Sequence, residues 1–288
     1  IMPFGIRKQG VNNGELAAIL ADYLGGITLM DCAALNHMVQ LITEQEQAVR
    51  TLYKFAGETD AQIAVASYRK SRTIWCKPEA EHGRIAARGL VHPLLKNAVG
   101  NDFILEDRAI LTGANASGKS TFMKAVAINV ILVQTIHTCT AEMFGVENVR
   151  VMTCMSLRDD VESGESYYFR EAKYLRRIVE QMKKGRVFCV IDEIFKGTNT
   201  TERIAASKAV LEYLVRTDGF VLVATHDREI VDQAFYHKYY FDSKVMEHDI
   251  VFDYKIREGI GGKSNAIALL ELLGYPREIV QKAREYAI

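Results

Sequence analysis

The stretch "LTGANASGKST", residues 111–121, constrains this chain more than any other. Gly113, Gly118, Lys119 and Ser120 satisfy G-x-x-x-x-G-K-[ST], with an apolar run before and a helix-forming run after. A loop of this kind turns its backbone N–H groups inward around phosphate oxygens. Glycines permit the close approach, the lysine reaches the β and γ oxygens, and the Ser120 hydroxyl ligates Mg²⁺. Such a loop has to follow a strand and open a helix, which commits the surrounding residues to an α/β architecture.

The rest of the chain agrees with that demand. From about residue 103 it consists of short apolar runs, "AILTG", "NVRVMTCMS", "RVFCVIDE" and "GFVLVATH", separated by helical stretches. Strand and helix alternating in this way predict a mostly parallel sheet flanked by helices. "KYYFDS" and "IVFDYKI" read as a late antiparallel addition. The closing "SNAIALLELLGYPREIVQKAREY" reads as a helix-turn-helix of packing type, with Gly274 stopping one helix and Pro276 opening the next. Before all this, residues 1–55 are helix-rich, with a break expected near Gly25 and Gly26. A further helical stretch around "DAQIAVASYRKS" then runs into loop at Pro78 and Gly83.

Three further groups bear on chemistry. "RVFCVIDE" is an apolar strand ending in Asp192 and Glu193. The pleat aims two adjacent carboxylates in different directions, so Asp192 suits the Mg²⁺ water shell and Glu193 suits a general base facing a water. His226 ends the next buried strand, "VLVATHD", where it would sense a γ-phosphate and position that water. In "SLRDDVESGES" the serines precede a helix with an apolar stripe of Tyr168, Ala172, Leu175, Val179 and Met182. They serve either as helix caps or as a phosphate site at an exposed helix N-terminus.

Composition narrows the partners. Lys plus Arg and Asp plus Glu are 36 each, so no net basic field is available to hold a long nucleic acid, and any DNA contact would be local or lie elsewhere. The five cysteines form no C-x-x-C pair, which predicts reduced, mostly core thiols in a cytoplasmic protein. No apolar run reaches membrane-spanning length, and the opening residues lack a signal-peptide pattern.

Taken in order, "GANASGKST", "RDDVESGES", "VIDEIFKGTNT", "VATHD" and "GGKSNAIALLELLGYPREIVQKARE" resemble the ATPase domain of MutS mismatch-repair proteins, and "GLVHPLL" resembles the segment leading into it. The resemblance covers roughly residue 56 onward. It implies an ABC-type P-loop ATPase domain over 56–288, with 1–55 as the end of a truncated core or lever domain. It also implies a homodimer with composite ATP sites, each closed by the partner's signature serine, here Ser166. Asn115, Ser117 and Thr121 would join Gly113, Gly118, Lys119 and Ser120 in holding ATP. Mg²⁺ would fall to Ser120 and Asp192, catalysis to Glu193, His226 and Lys119, and the adenine to Tyr254. Thr198 and Thr200, after Gly197, would belong to a loop signalling between the sites, and the terminal helices would brace the dimer. ATP state would be coupled to DNA binding, mainly through domains other than these.

Departures mark a divergent, MutS-related subfamily. Where the family has Pro and a Met-Gly pair in the glycine loop, this chain has Ala114, Ala116 and Ser117; where it has Gly-Arg-Gly-Thr-Ser-Thr, this chain has "FKGTNT". Two other readings stay open from the residues. One is a chromosome-maintenance or transporter-type ABC ATPase, although a strict LSGGQ and flanking heptads are missing. The other is a nucleotide-gated interaction module with little turnover, which would have no use for a base and a sensor.

Overall fold

The computed structural model describes residues 23, 27–114, 116–155, 167–195, 198–245, 250–261 and 266–286. Two compact units divide at Lys70 and Ser71. In the first lie helices α1 (Met30–Glu44) and α2 (Glu46–Lys70), which meet at Gln45. The expected break at Gly25 and Gly26 lies outside the described residues. Helix α2 runs unbroken through Gly57 and across residues 55 and 56, joining two stretches that the sequence separates. A single interior glycine costs a helix only about 1 kcal/mol, too little to end one of this length. No side chain of α2 is buried.

The second unit begins in loop, with Gly83 at φ 76°, and builds two sheets. Strands β1 (Ile85–Leu90), β2 (Asn101–Leu105) and β4 (Met143–Gly145) form an antiparallel sheet in the order β2-β1-β4. The sequence gives no warning of this sheet, because its strands are short and carry Arg88, Gly89 and Asp102 among their apolar positions. Between β2 and β4 come β3 (Arg108–Gly113) and helix α3 (Lys119–Ile136). Then follow β5 (Arg150–Cys154), α4 (Tyr167–Met182), β6 (Val187–Asp192), α5 (Thr200–Val215), β7 (Gly219–Ala224) and the short α6 (Arg228–Val231). Strands β8 (His237–Val245) and β9 (Ile250–Glu258) and helices α7 (Ala266–Leu272) and α8 (Arg277–Tyr286) complete the described chain.

The second sheet has the order β5-β6-β7-β3-β8-β9, parallel throughout except for the antiparallel β8–β9 pair. Its middle strands are buried on both faces, as continuous apolar runs such as "FVLVA" require. Alternation sends Phe188, Val190 and Leu222 into one core with Phe122, Met123 and Val126 of α3. Cys189, Ile191, Val221 and Val223 go into the opposite core, with Leu175, Ile178 and Met182 of α4 and Leu211 and Leu214 of α5. Helix α3 buries apolar residues over much of its circumference, as a helix enclosed by a sheet and its neighbours must. In α4, Leu175 and Met182 are buried as expected, but Tyr168 is 38% exposed and Ile178 joins the core in its place.

The turn between α7 and α8 forms where Gly274 and Pro276 predict it. The Tyr275 N–H bonds back to the Leu270 carbonyl, and Ile279 N–H bonds to that of Pro276. Of the cysteines, Cys139, Cys154 and Cys189 are buried, Cys76 is half-buried and Cys32 is exposed. Burial pushes the Cys154 thiol up to about 12. No helix among the described residues is long and apolar enough to cross a membrane.

Candidate functional site

Register alone gathers the carboxylates, the histidine and the glycine loop. Leu111 on β3 pairs with Ala224 on β7, and Ala224 pairs with Asp192 on β6. Strands β6 and β7 end on this row and β3 two residues past it, and the carboxyl ends of parallel strands are where such sheets hold ligands. One or two residues beyond that row stand Gly113, Glu193 and His226. Glu193 and His226 open onto a cleft of about 650 Å³ lined also by Ser117, Gly118, Lys119, Ser120, Thr121, Asp192 and Tyr254.

The loop's glycines are fixed by contact. At Gly113 (φ 141°) a Cβ would lie 2.7 Å from the Phe241 carbonyl oxygen and 3.0 Å from the Ser117 hydroxyl. Gly118 (φ 103°) would thrust one to 3.1 Å from the Tyr254 ring, and it caps the start of α3 in a left-handed conformation. Ala116 also takes a positive φ, 65°, without being glycine. Lys119 is buried, and its Nζ donates to the Gly113 and Ala114 carbonyls at 2.7 and 2.8 Å. Ser117 is 1% exposed, and its hydroxyl finds no hydrogen-bond partner among the described residues.

Next to the loop, the Ser120 hydroxyl donates to Asp192 Oδ2 at 2.6 Å, across 72 residues of chain. Glu193 takes a left-handed φ of 60°, turning its side chain away from that of Asp192. Its Oε1 lies 3.0 Å from His226 Nε2. Glu193 lies past the end of β6, so its left-handed turn, and not the strand's pleat, sets its direction, and each carboxylate meets a different partner. Hard oxygen donors from one hydroxyl and one carboxylate suit Mg²⁺, which keeps most of its shell as water and phosphate oxygen. The orphaned Ser117 hydroxyl and the buried Lys119 ammonium suit a phosphate chain beside it, so the residues fit a magnesium nucleotide.

Tyr254 takes a φ of 55° within β9, and its ring is 46% exposed over Gly118. Asn101, 6% exposed, sets this kink. Its Nδ2 donates to the Tyr254 carbonyl at 3.0 Å and its Oδ1 accepts the Ile256 N–H at 2.8 Å. The opposite rim comes from His92, Leu95 and Asn97. Burial, with Lys124 nearby, holds the His92 imidazole below its usual range, and its Nδ1 accepts the Leu94 N–H. Neither Asn101 nor His92 stands out in sequence, because their partners lie in loops whose approach no local pattern announces.

Beyond the carboxylates, Asn199 caps α5 by accepting the Glu202 N–H at 3.0 Å, and Thr198 donates to Glu202 at 3.2 Å. Thr200 opens the helix, away from the cleft lining. Arg203 on α5 forms a two-pronged pair with Asp227, the residue after His226, at 2.8 and 3.2 Å. Asn115, Ser166 and Gly197 lie outside the described residues.

Comparison with known proteins adds the family. Residues 109–288 match the family model of MutS domain V. The chain is 30% identical over 304 aligned positions to the DNA mismatch repair protein MutS of Fusobacterium nucleatum, covering 97% of this chain and 34% of that one. It is 30% identical over 252 positions to MutS of Natronomonas pharaonis (83% and 29%), and 29% over 310 to that of Ruminiclostridium cellulolyticum (97% and 35%). The chain thus spans about a third of the length of the curated relatives it matches.

Proposed function

Since the chain belongs to the MutS family, we propose that residues 56–288 are its ATPase domain, of ABC-type P-loop fold, which binds and hydrolyses ATP with Mg²⁺ and couples nucleotide state to DNA binding in mismatch repair or a related DNA transaction. The observation that carries this reading is the Ser120–Asp192 hydrogen bond beside the Glu193–His226 contact. One arrangement supplies a cation site, a base and a sensor within a single cleft.

In this reading Lys119 exchanges its two loop carbonyls for β and γ oxygens, and Ser117 donates its orphaned hydroxyl to the same chain of phosphates. Gly113 and Gly118 keep the backbone close, with Asn115 and Thr121 completing the cradle. Tyr254 offers a ring to the adenine. Mg²⁺, when bound, neutralises charge developing on the phosphates, and Ser120 and Asp192 would hold it. Glu193 accepts the proton of the attacking water, and His226 keeps Glu193 and that water aligned. Ser166 would close the site of a second copy in a homodimer. The helical segment over 1–55 would be the end of a larger core domain. The protein would work in the cytoplasm, with DNA held mainly by domains beyond this region.

The test is ATP turnover across a protein concentration series, with and without heteroduplex DNA. Lys119→Ala should abolish binding, and Glu193→Gln should keep binding while turnover falls at least about a hundredfold. A Glu193→Gln variant as active as the parent would remove Glu193 as the base, and a Lys119→Ala variant that binds ATP normally would remove the nucleotide reading.

A further inference from the structure

The turn that presents Glu193 is held from a distance. Glu193 and Phe195 both take left-handed φ values, 60° and 58°, a region unfavourable to residues with a Cβ. Phe195 stands where the family resemblance has glycine. A turn of this kind persists only when its surroundings over-determine it. Three holds are visible. The Glu193 N–H donates to the Ala224 carbonyl at 3.0 Å, Ile194 and Phe195 are buried, and the Tyr168 ring packs on that of Phe195 at 5.6 Å.

The fourth hold is a buried carboxyl group. Glu171, in the second turn of α4, is 1% exposed, and its Oε1 accepts the Phe195 N–H at 2.6 Å. Taking a carboxylate out of water is costly unless charge-assisted hydrogen bonds compensate. A side chain without an acceptor here would leave the Phe195 N–H unpaired in the core. That N–H belongs to the backbone two residues after Glu193.

We propose that Glu171 is a positioning residue for Glu193: through the Phe195 amide, the N-terminal part of α4 sets where the Glu193 carboxylate stands against His226 and the cleft. This rests on the reading of Glu193 as the base. A displacement of the start of α4 is passed to Glu193 through one short hydrogen bond, with Tyr168 and Phe195 moving as a packed pair.

The experiment compares Glu171→Ala and Glu171→Gln with the parent. In Glu171→Ala, kcat for ATP should fall about tenfold to a hundredfold while KM and the Kd of a fluorescent ATP analogue stay within about twofold. Glu171→Gln, whose amide oxygen still accepts the N–H, should lose only about threefold in kcat. The imidazole NMR signals of His226, recorded without nucleotide, should move in Glu171→Ala toward their positions in Glu193→Gln. A folded Glu171→Ala with parental kcat, or with His226 signals unmoved, overturns the proposal. If Glu171→Ala does not fold, Glu171→Met, which fills the space without accepting the N–H, decides, and a parental kcat there is the overturning result. Should the parent itself neither bind nor hydrolyse ATP, the ATPase reading fails, while the His226 signals still judge whether Glu171 positions Glu193.

Discussion

The pairing of Arg203 with Asp227 is a measurable brace on the segment that carries His226. Arg203 Nη2 lies 2.8 Å from Asp227 Oδ1 and its Nε lies 3.2 Å from Oδ2. The two side chains are 25% and 21% exposed. Fully exposed pairs are worth about 0.2–1 kcal/mol, while removing one partner of a fully buried pair costs about 3–5. Roughly three-quarters burial and a forked geometry place Arg203→Ala near 2 kcal/mol. For a unit running from Ser71 to Ile288, that lowers Tm by roughly 4–8 °C. Asp227→Ala should cost a similar amount, since the Asp227 side chain makes no capping hydrogen bond to α6. The double variant should be little worse than either single, giving a coupling of about 1.5 kcal/mol in a thermal or urea double-mutant cycle. Hydrolysis should fall as well, because the bend that carries His226 would then lose its side-chain brace from α5. A coupling under about 0.5 kcal/mol would refute the reasoning, since it would class the pair with solvated surface contacts.

Two further outcomes follow from the cleft's rims. Tyr254→Ala should weaken ATP binding about fivefold to fiftyfold with little change in kcat, the loss of one ring–base stack; calorimetry reads it, and an unchanged Kd would dismiss the ring as an adenine platform. His92 binds its proton less readily when folded than in the unfolded chain, where it titrates near 6.5. Its contribution to stability is therefore complete above that pH and is lost as pH falls from 6.5 toward the depressed folded value. His92→Gln should flatten the urea midpoint across that window, and an unaltered slope would assign the pH dependence to other groups.

Where sequence and fold agree, the reason is local chemistry. The glycine loop, the carboxylate pair at the end of β6 and His226 beyond β7 are legible because each sits at the end of an apolar strand, and parallel pairing aligns those ends by register. The β8–β9 hairpin and the terminal helix turn are legible for the same kind of reason. Other contributions are not. Asn101 acts on Tyr254 and Ile256, more than 150 residues away, and Glu171 reads as one more acid on an amphipathic helix until its burial is seen. Arg203 and Asp227 look like ordinary surface charges, since neither lies in an apolar pattern. The β1-β2-β4 sheet escapes notice because its alternation is broken by charged residues and Gly89. The helix boundaries in the first unit escape because a lone glycine at residue 57 is too weak a breaker.

The contact between Gly118 and Tyr254 also has a meaning in time. A chain leaves the ribosome from its N-terminus, and its domains fold as units when enough of each has emerged. The glycine loop, both carboxylates and His226 are all synthesised before the residue that roofs the loop. Until β9 has paired with β8, the nascent protein carries the phosphate-binding half of a site without its wall. In the proposed ATPase reading, nucleotide capture would reach full strength late in translation, together with the last strand of the sheet.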